Sequence, residues 1–128
     1  MLLGLLSFRA VAADNLLIIG DSLSAVYRLP VAESWPTLLN NKWQKEGGKP
    51  TIINASISGD TAEQGLARLQ PLLQQHHPRW VLIELGANDG LRGFPPQTIS
   101  QTLTQLIAQV KEAGAQPLLM QIRLPPNY

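Results

Sequence analysis

From Asn15 onward, short continuous apolar runs alternate with longer stretches of helical periodicity, and few architectures satisfy that alternation. Residues 16–19, 51–53, 80–85 and 117–122 read as strands. They are apolar in runs rather than at every second position, as expected of parallel strands covered on both faces. Helical patterns fill the gaps. Residues 34–46 have Pro36 near their start and Gly47-Gly48 just past their end, the punctuation of a helix. Thr61 and Gln64 have the spacing of a capping box. They open a second helix that Pro71 is expected to break or restart before the turn at Pro78. Ile99, Leu103, Leu106, Ile107 and Val110 fall on one face of a third helix over 97–113, with Gly114 as its stop. The order β-α-β-α-β-α-β predicts an α/β fold: a doubly wound parallel sheet with right-handed crossovers.

Composition narrows the function. A chain of 128 residues, 45% hydrophobic and 15% charged, makes one globular domain. With no cysteine, thiol catalysis, zinc knuckles and disulfide frameworks are excluded. Ten Lys and Arg against nine Asp and Glu give a net charge of +1 without a basic stripe, which disfavours a nucleic-acid partner. No apolar stretch approaches the roughly 18 residues of a membrane span. Residues 1–12 differ from the rest. An apolar stretch over 2–8 is followed by Arg9 and then Ala10-Val11-Ala12-Ala13, the small-residue pattern that signal peptidase accepts. The expectation is a signal-peptide remnant over 1–12, whose true start lies upstream of Met1, ahead of a domain over 13–128 in a periplasmic or secreted protein.

In a doubly wound sheet, chemistry sits outside the carboxyl ends of the strands. Three polar, glycine-bearing turns fall there: Gly20-Asp21-Ser22-Leu23-Ser24 after the first strand, Asn54 to Thr61 after the second, and Gly86-Ala87-Asn88-Asp89-Gly90 after the third. Glycine allows sharp turns and close approach of backbone N–H groups, while Ser, Asn and Asp supply a nucleophile or hydrogen bonds. Taken singly, each turn reads equally as a loop with a helix cap.

Together these turns resemble the SGNH or GDSL hydrolase family. The likeness extends through GDSLSAVYR, NASISGDT, GLARL, HHPRWVLIELGANDGLRGF and LLMQIRLPPNY, over essentially all of the chain after Ala13. It implies a flavodoxin-like sheet of the SGNH hydrolase fold, with the C-terminal strand and helix missing. It also implies an acyl ester or thioester as small-molecule substrate, of the acyl-CoA, lysophospholipid or aryl ester kind, and neither cofactor nor metal. Carried over residue by residue, Ser22 is the nucleophile. The oxyanion hole is formed by Ser22, Gly59 and Asn88, through two N–H groups and a side-chain amide that receive the charge developing in the transition state. Asp21 is expected to brace the turn in a second shell, and Asp60 and Asp89 to be turn and cap residues. Leu91, Phe94, Arg123 and Pro125 would border the acyl pocket, and Leu91 and Phe94 read equally as packing for the next helix. One departure is local: relatives commonly carry Gly where this chain has Val26, a stiffer residue that cannot take a positive φ cheaply.

The family's catalytic His and its orienting Asp lie in an Asp-x-x-His block beyond the position of Tyr128. His76 and His77 precede the third strand, about seven residues at roughly 3.3 Å each from its far end, and so lie some 20 Å from Ser22. They are expected at a helix end on the surface, leaving the chain nearly inactive by itself. Two other classes stand beside the hydrolase. One is a binder that keeps an acyl pocket without a base, a lipid or glycan sensor. The other is a phosphoryl-handling domain with Mg²⁺ held by Asp21, Asp60 and Asp89, although G-x-x-x-x-G-K-[ST] and G-x-G-x-x-G are absent. Oligomeric state is not legible.

Overall fold

A computed structural model describes residues 13–21, 24–25, 34–47 and 50–120. Within them the chain forms β1 (Ala13–Gly20), α1 (Trp35–Lys45), β2 (Thr51–Asn54), α2 (Ala62–His76), β3 (Pro78–Glu84), a short α3 (Ala87–Leu91), α4 (Pro96–Glu112) and β4 (Gln116–Leu119). The strands pair in parallel in the order β2-β1-β3-β4. From β1 the chain steps to one side for β2 and crosses back to the other for β3, so the direction of winding reverses between β1 and β3. That is the topological switch point of a flavodoxin-like sheet.

Successive strand side chains point to opposite faces. Leu17 and Ile19 of β1 and Val81 and Ile83 of β3 therefore meet Leu69 and Leu73 of α2 and Leu106 and Val110 of α4 in one buried core. The opposite face carries Leu16 and Trp80, which with Trp43 of α1, Pro50 and Leu118 line an apolar groove of about 270 Å³. At the sheet edge Leu118 and Leu119 are 42% and 49% exposed. β4 begins one residue earlier than the apolar run, and its ladder reaches Met120, whose N–H donates to Ile83 O at 2.9 Å. Residues 121 and 122 of the expected strand lie outside the described residues, as do residues 1–12.

The helix signals act as expected at three termini. The N–H of Gln64 donates to Thr61 Oγ1 at 3.3 Å and the N–H of Thr61 donates to Gln64 Oε1 at 2.9 Å, a reciprocal capping box. Pro36 sits in the first turn of α1, and Gly114, at φ 82°, follows the end of α4. The expectation for Pro71 is wrong: α2 runs unbroken from Ala62 to His76 with Pro71 inside it. An interior proline costs about 3 kcal/mol. Here it lies on the outer face, and Ala67, whose carbonyl loses its partner, is exposed to water. Leu69 and Leu73, either side of the proline, are both buried in the same core, which holds the two halves in line. The short helix α3 carries no apolar periodicity and was not foreseen.

Gly65 marks the closest approach of α2 to the sheet, for a Cβ there would overlap Leu85 Cδ1. Alanine would gain about 1 kcal/mol of helix propensity but overfill a core that resists it by about 1–3 kcal/mol. Gly65→Ala is therefore expected to lower the denaturant midpoint despite the better helix former, and a raised midpoint would show that Leu85 yields freely.

Candidate active site

The strand register sets the site. Gly20 and Glu84, the last residues of β1 and β3, are direct partners, and Ile18 pairs with Asn54 at the end of β2. The three polar turns thus leave the sheet side by side at its carboxyl end. The turn after β1 is tied down by Ser24 N–H and Ala25 N–H, which donate to Asp21 O at 3.1 and 2.7 Å. From the β2 side, Asn54 Nδ2 donates to Ser24 O at 2.7 Å and Ile57 N–H donates to Gly20 O at 3.0 Å.

Asn88, in the first turn of α3, joins all three turns. Its Nδ2 donates to Asp60 O at 3.0 Å, next to Gly59, and makes a long contact of 3.4 Å to Asp21 Oδ2, next to Ser22. Gly59 takes a φ of +86°, a conformation that L side chains rarely adopt, and its carbonyl accepts from Arg92 at 3.2 Å. The structure thus brings Asp21, Gly59 and Asn88 together. Ser22, Val26, Arg123 and Pro125 lie outside the described residues. Of the expected pocket residues, Leu91 is 54% exposed at the end of α3, and Phe94 is half-buried with its N–H on Asp89 O at 3.0 Å. His76 and His77 fall at the C-terminal end of α2, at the opposite end of β3 from Glu84. They have no access to the strand-end turns.

Each of the other two aspartates has its own task. Asp89 is buried, and its Oδ1 accepts from Ala62 N–H at 2.8 Å, capping α2 across 27 residues of sequence. Asp60 is paired with Arg68, whose Nε lies 2.9 Å from Asp60 Oδ2 while its NH1 donates to Ala55 O at 2.7 Å. Asp60 is thus half of an ion pair as well as a turn residue. Asp60 and Asp89 thus take separate partners, and no group of three His, Cys, Asp or Glu that could hold a metal occurs among the described residues.

Glu84 joins the site without belonging to any of the three polar turns. It is fully buried at the end of β3, and its Oε1 accepts from Ser24 Oγ at 2.8 Å. Burial, reinforced by the adjacent Asp21 carboxylate, pushes its pKa from the ordinary 4.5 up to about 7, against a smaller opposing effect of the Ser24 hydroxyl. A signal was available: an acid inside a run read as buried on both faces needs a partner. Gly20 packs among these oxygens, for a Cβ there would lie 3.0 Å from Ser24 Oγ, 3.0 Å from Ser56 Oγ and 3.1 Å from Glu84 Oε1. The glycine is required by close approach and not by its dihedral angles.

Polar turns gathered at the carboxyl ends of the strands, beside the switch point between β1 and β3, stand where a parallel α/β sheet places its chemistry. The chain belongs to the GDSL-like lipase/acylhydrolase family, whose model matches residues 18–128. It is 65% identical over its whole length to thioesterase 1/protease 1/lysophospholipase L1 of Escherichia coli (strain K12), covering 60% of that protein. It is 55% identical over 96% of its length to an arylesterase of Vibrio mimicus, covering 62% of that relative. Among solved structures it superposes with a TM-score of 0.86 on the psychrotrophic esterase EstA from Pseudoalteromonas sp., inhibited by monoethylphosphonate. The two are 50% identical, and the match covers 90% of this chain and 63% of EstA. The chain thus spans about 60% of the length of the curated relatives it matches. No helix among the described residues is long and apolar enough to cross a membrane.

Proposed function

We propose that this protein hydrolyses acyl esters or thioesters through Ser22, with the Ser22 and Gly59 N–H groups and the Asn88 amide receiving the oxyanion. The observation that carries this is the placement of Asn88 Nδ2 between Asp60 O at 3.0 Å and Asp21 Oδ2 at 3.4 Å. One N–H anchors the amide beside Gly59, and the other faces the turn that bears Ser22. A neutral amide suits this role, because it donates to the developing charge without carrying a charge of its own into the free enzyme. The names of the relatives, thioesterase, lysophospholipase and arylesterase, support substrates of the acyl-CoA, lysophospholipid and aryl ester classes. The family resemblance supports assigning Leu91, Phe94, Arg123 and Pro125 to the border of the acyl pocket. The leader-like pattern in residues 1–12 supports a periplasmic or secreted location.

The test is covalent. The protein made from its own gene, treated with an alkyl phosphonate ester, is expected to gain one phosphonyl group on the peptide that contains Ser22, with parallel loss of p-nitrophenyl ester hydrolysis. Modification of a different residue, or full activity in the labelled protein, would refute the assignment.

A further inference from the structure

We propose that Glu84 is a positioning residue for the nucleophile: its carboxyl grips Ser24 and backs Asp21, and so sets where the intervening Ser22 stands. The proposal rests on the assignment of Ser22 above and adds to it a group that lies outside the three polar turns.

The geometry is that of a clamp. Ser22 is bracketed in sequence by Asp21 and Ser24, and both are fully buried. Ser24 is held from two sides, its carbonyl by Asn54 Nδ2 at 2.7 Å and its hydroxyl by Glu84 Oε1 at 2.8 Å. Glu84 itself is fixed by the backbone, as the register partner of Gly20 on the strand that feeds the turn. The second carboxyl oxygen, Oε2, is buried and makes no hydrogen bond among the described residues, as does Ser56 Oγ beside Gly20. A buried carboxyl with one oxygen left unbonded is poorly stabilised as an anion.

Protonation decides how the clamp works. Asp21 is the charged group acting on Glu84 among the described residues. The nearest arginine on the helix side, Arg68, is engaged by Asp60 and Ala55 O. A neutral Glu84 accepts the Ser24 hydroxyl hydrogen and lies against the Asp21 carboxylate without repulsion. An ionised Glu84 sets two carboxylates side by side in a buried place, and the turn must shift to part them. The folded protein holds the Glu84 proton to about pH 7, whereas the unfolded chain releases it near 4.5. Between those values the folded state binds more protons than the unfolded one, so stability falls as pH rises through that window.

The experiment compares wild type with Glu84→Gln, Glu84→Ala and Ser24→Ala, all made as the gene's own product. It reads kcat and KM for a p-nitrophenyl acyl ester across pH, together with the denaturant midpoint across pH. Glutamine keeps the acceptor for Ser24 and cannot ionise. The ratio of kcat for Glu84→Gln to that for wild type is expected to rise as pH passes about 7, and the glutamine variant is expected to lose the wild-type fall in midpoint from 4.5 to 7. Glu84→Ala and Ser24→Ala are expected to lower kcat by about tenfold or more with KM little changed. A kcat ratio flat with pH, or Glu84→Gln as impaired as Glu84→Ala, overturns the proposal. If Glu84→Ala does not fold, Ser24→Ala and the glutamine ratio carry the same decision. Failure of the underlying assignment looks different: wild type itself would neither turn over the ester nor react with the phosphonate.

Discussion

Ser22→Ala is expected to reduce kcat for acyl ester hydrolysis by about 10⁶-fold, leaving only the residual rate that binding and the oxyanion donors give to attack by water. The size of the effect follows from the chemistry, because the serine oxygen makes the bond that divides one difficult displacement into two easier ones. The substitution removes a single oxygen from a turn whose fixed points are elsewhere. Those points are the Asp21 carbonyl that receives Ser24 N–H and Ala25 N–H, and the Ser24 carbonyl held by Asn54. The denaturant midpoint should therefore stay close to that of wild type. The measurement is kcat on a p-nitrophenyl ester in protein shown to be folded, and a rate within tenfold of wild type would exclude Ser22 as nucleophile.

Asn88→Ala should cost about 100- to 1,000-fold in kcat, the usual penalty for losing one oxyanion donor. KM should change little, since the amide meets a full negative charge only in the transition state. The substitution also deletes the bond to Asp60 O at 3.0 Å, a stability loss of about 0.5–1.5 kcal/mol. The two effects are separable by measuring unfolding beside kinetics. Asn88→Asp sharpens the test. A carboxylate of nearly the same shape accepts but cannot donate, and it sets a second charge near Asp21, so its kcat should be no better than that of alanine. A kcat for Asn88→Asp close to wild type would sink the oxyanion role.

Much of the scaffold was legible because the rules that build it are local. An apolar run, a 3.6-residue stripe and a Thr61–Gln64 box each report on their own few residues, and strands, helices and caps formed where those signals lay. Pro71 was misread for the same reason. The rule that a proline breaks a helix takes no account of Leu69 and Leu73, which the core grips on either side of it. Helix α3 escaped notice because five residues containing Gly90 have no periodicity to read.

The site divides in the same way. Sequence alone determined which residue types stand at the strand ends and, through the order of elements, that they share one edge of a parallel sheet. Tertiary structure alone decided which partner each polar group takes. Asp89 caps α2 from 27 residues away, Glu84 grips Ser24 from 60 and Asn88 meets Asp21 from 67. Nothing in the residues themselves encodes those distances. They arise when the sheet takes the order β2-β1-β3-β4 and sets Gly20 opposite Glu84. Burial then makes each pairing matter, because a polar group removed from water must find its hydrogen bond within the fold or be destabilised by its absence.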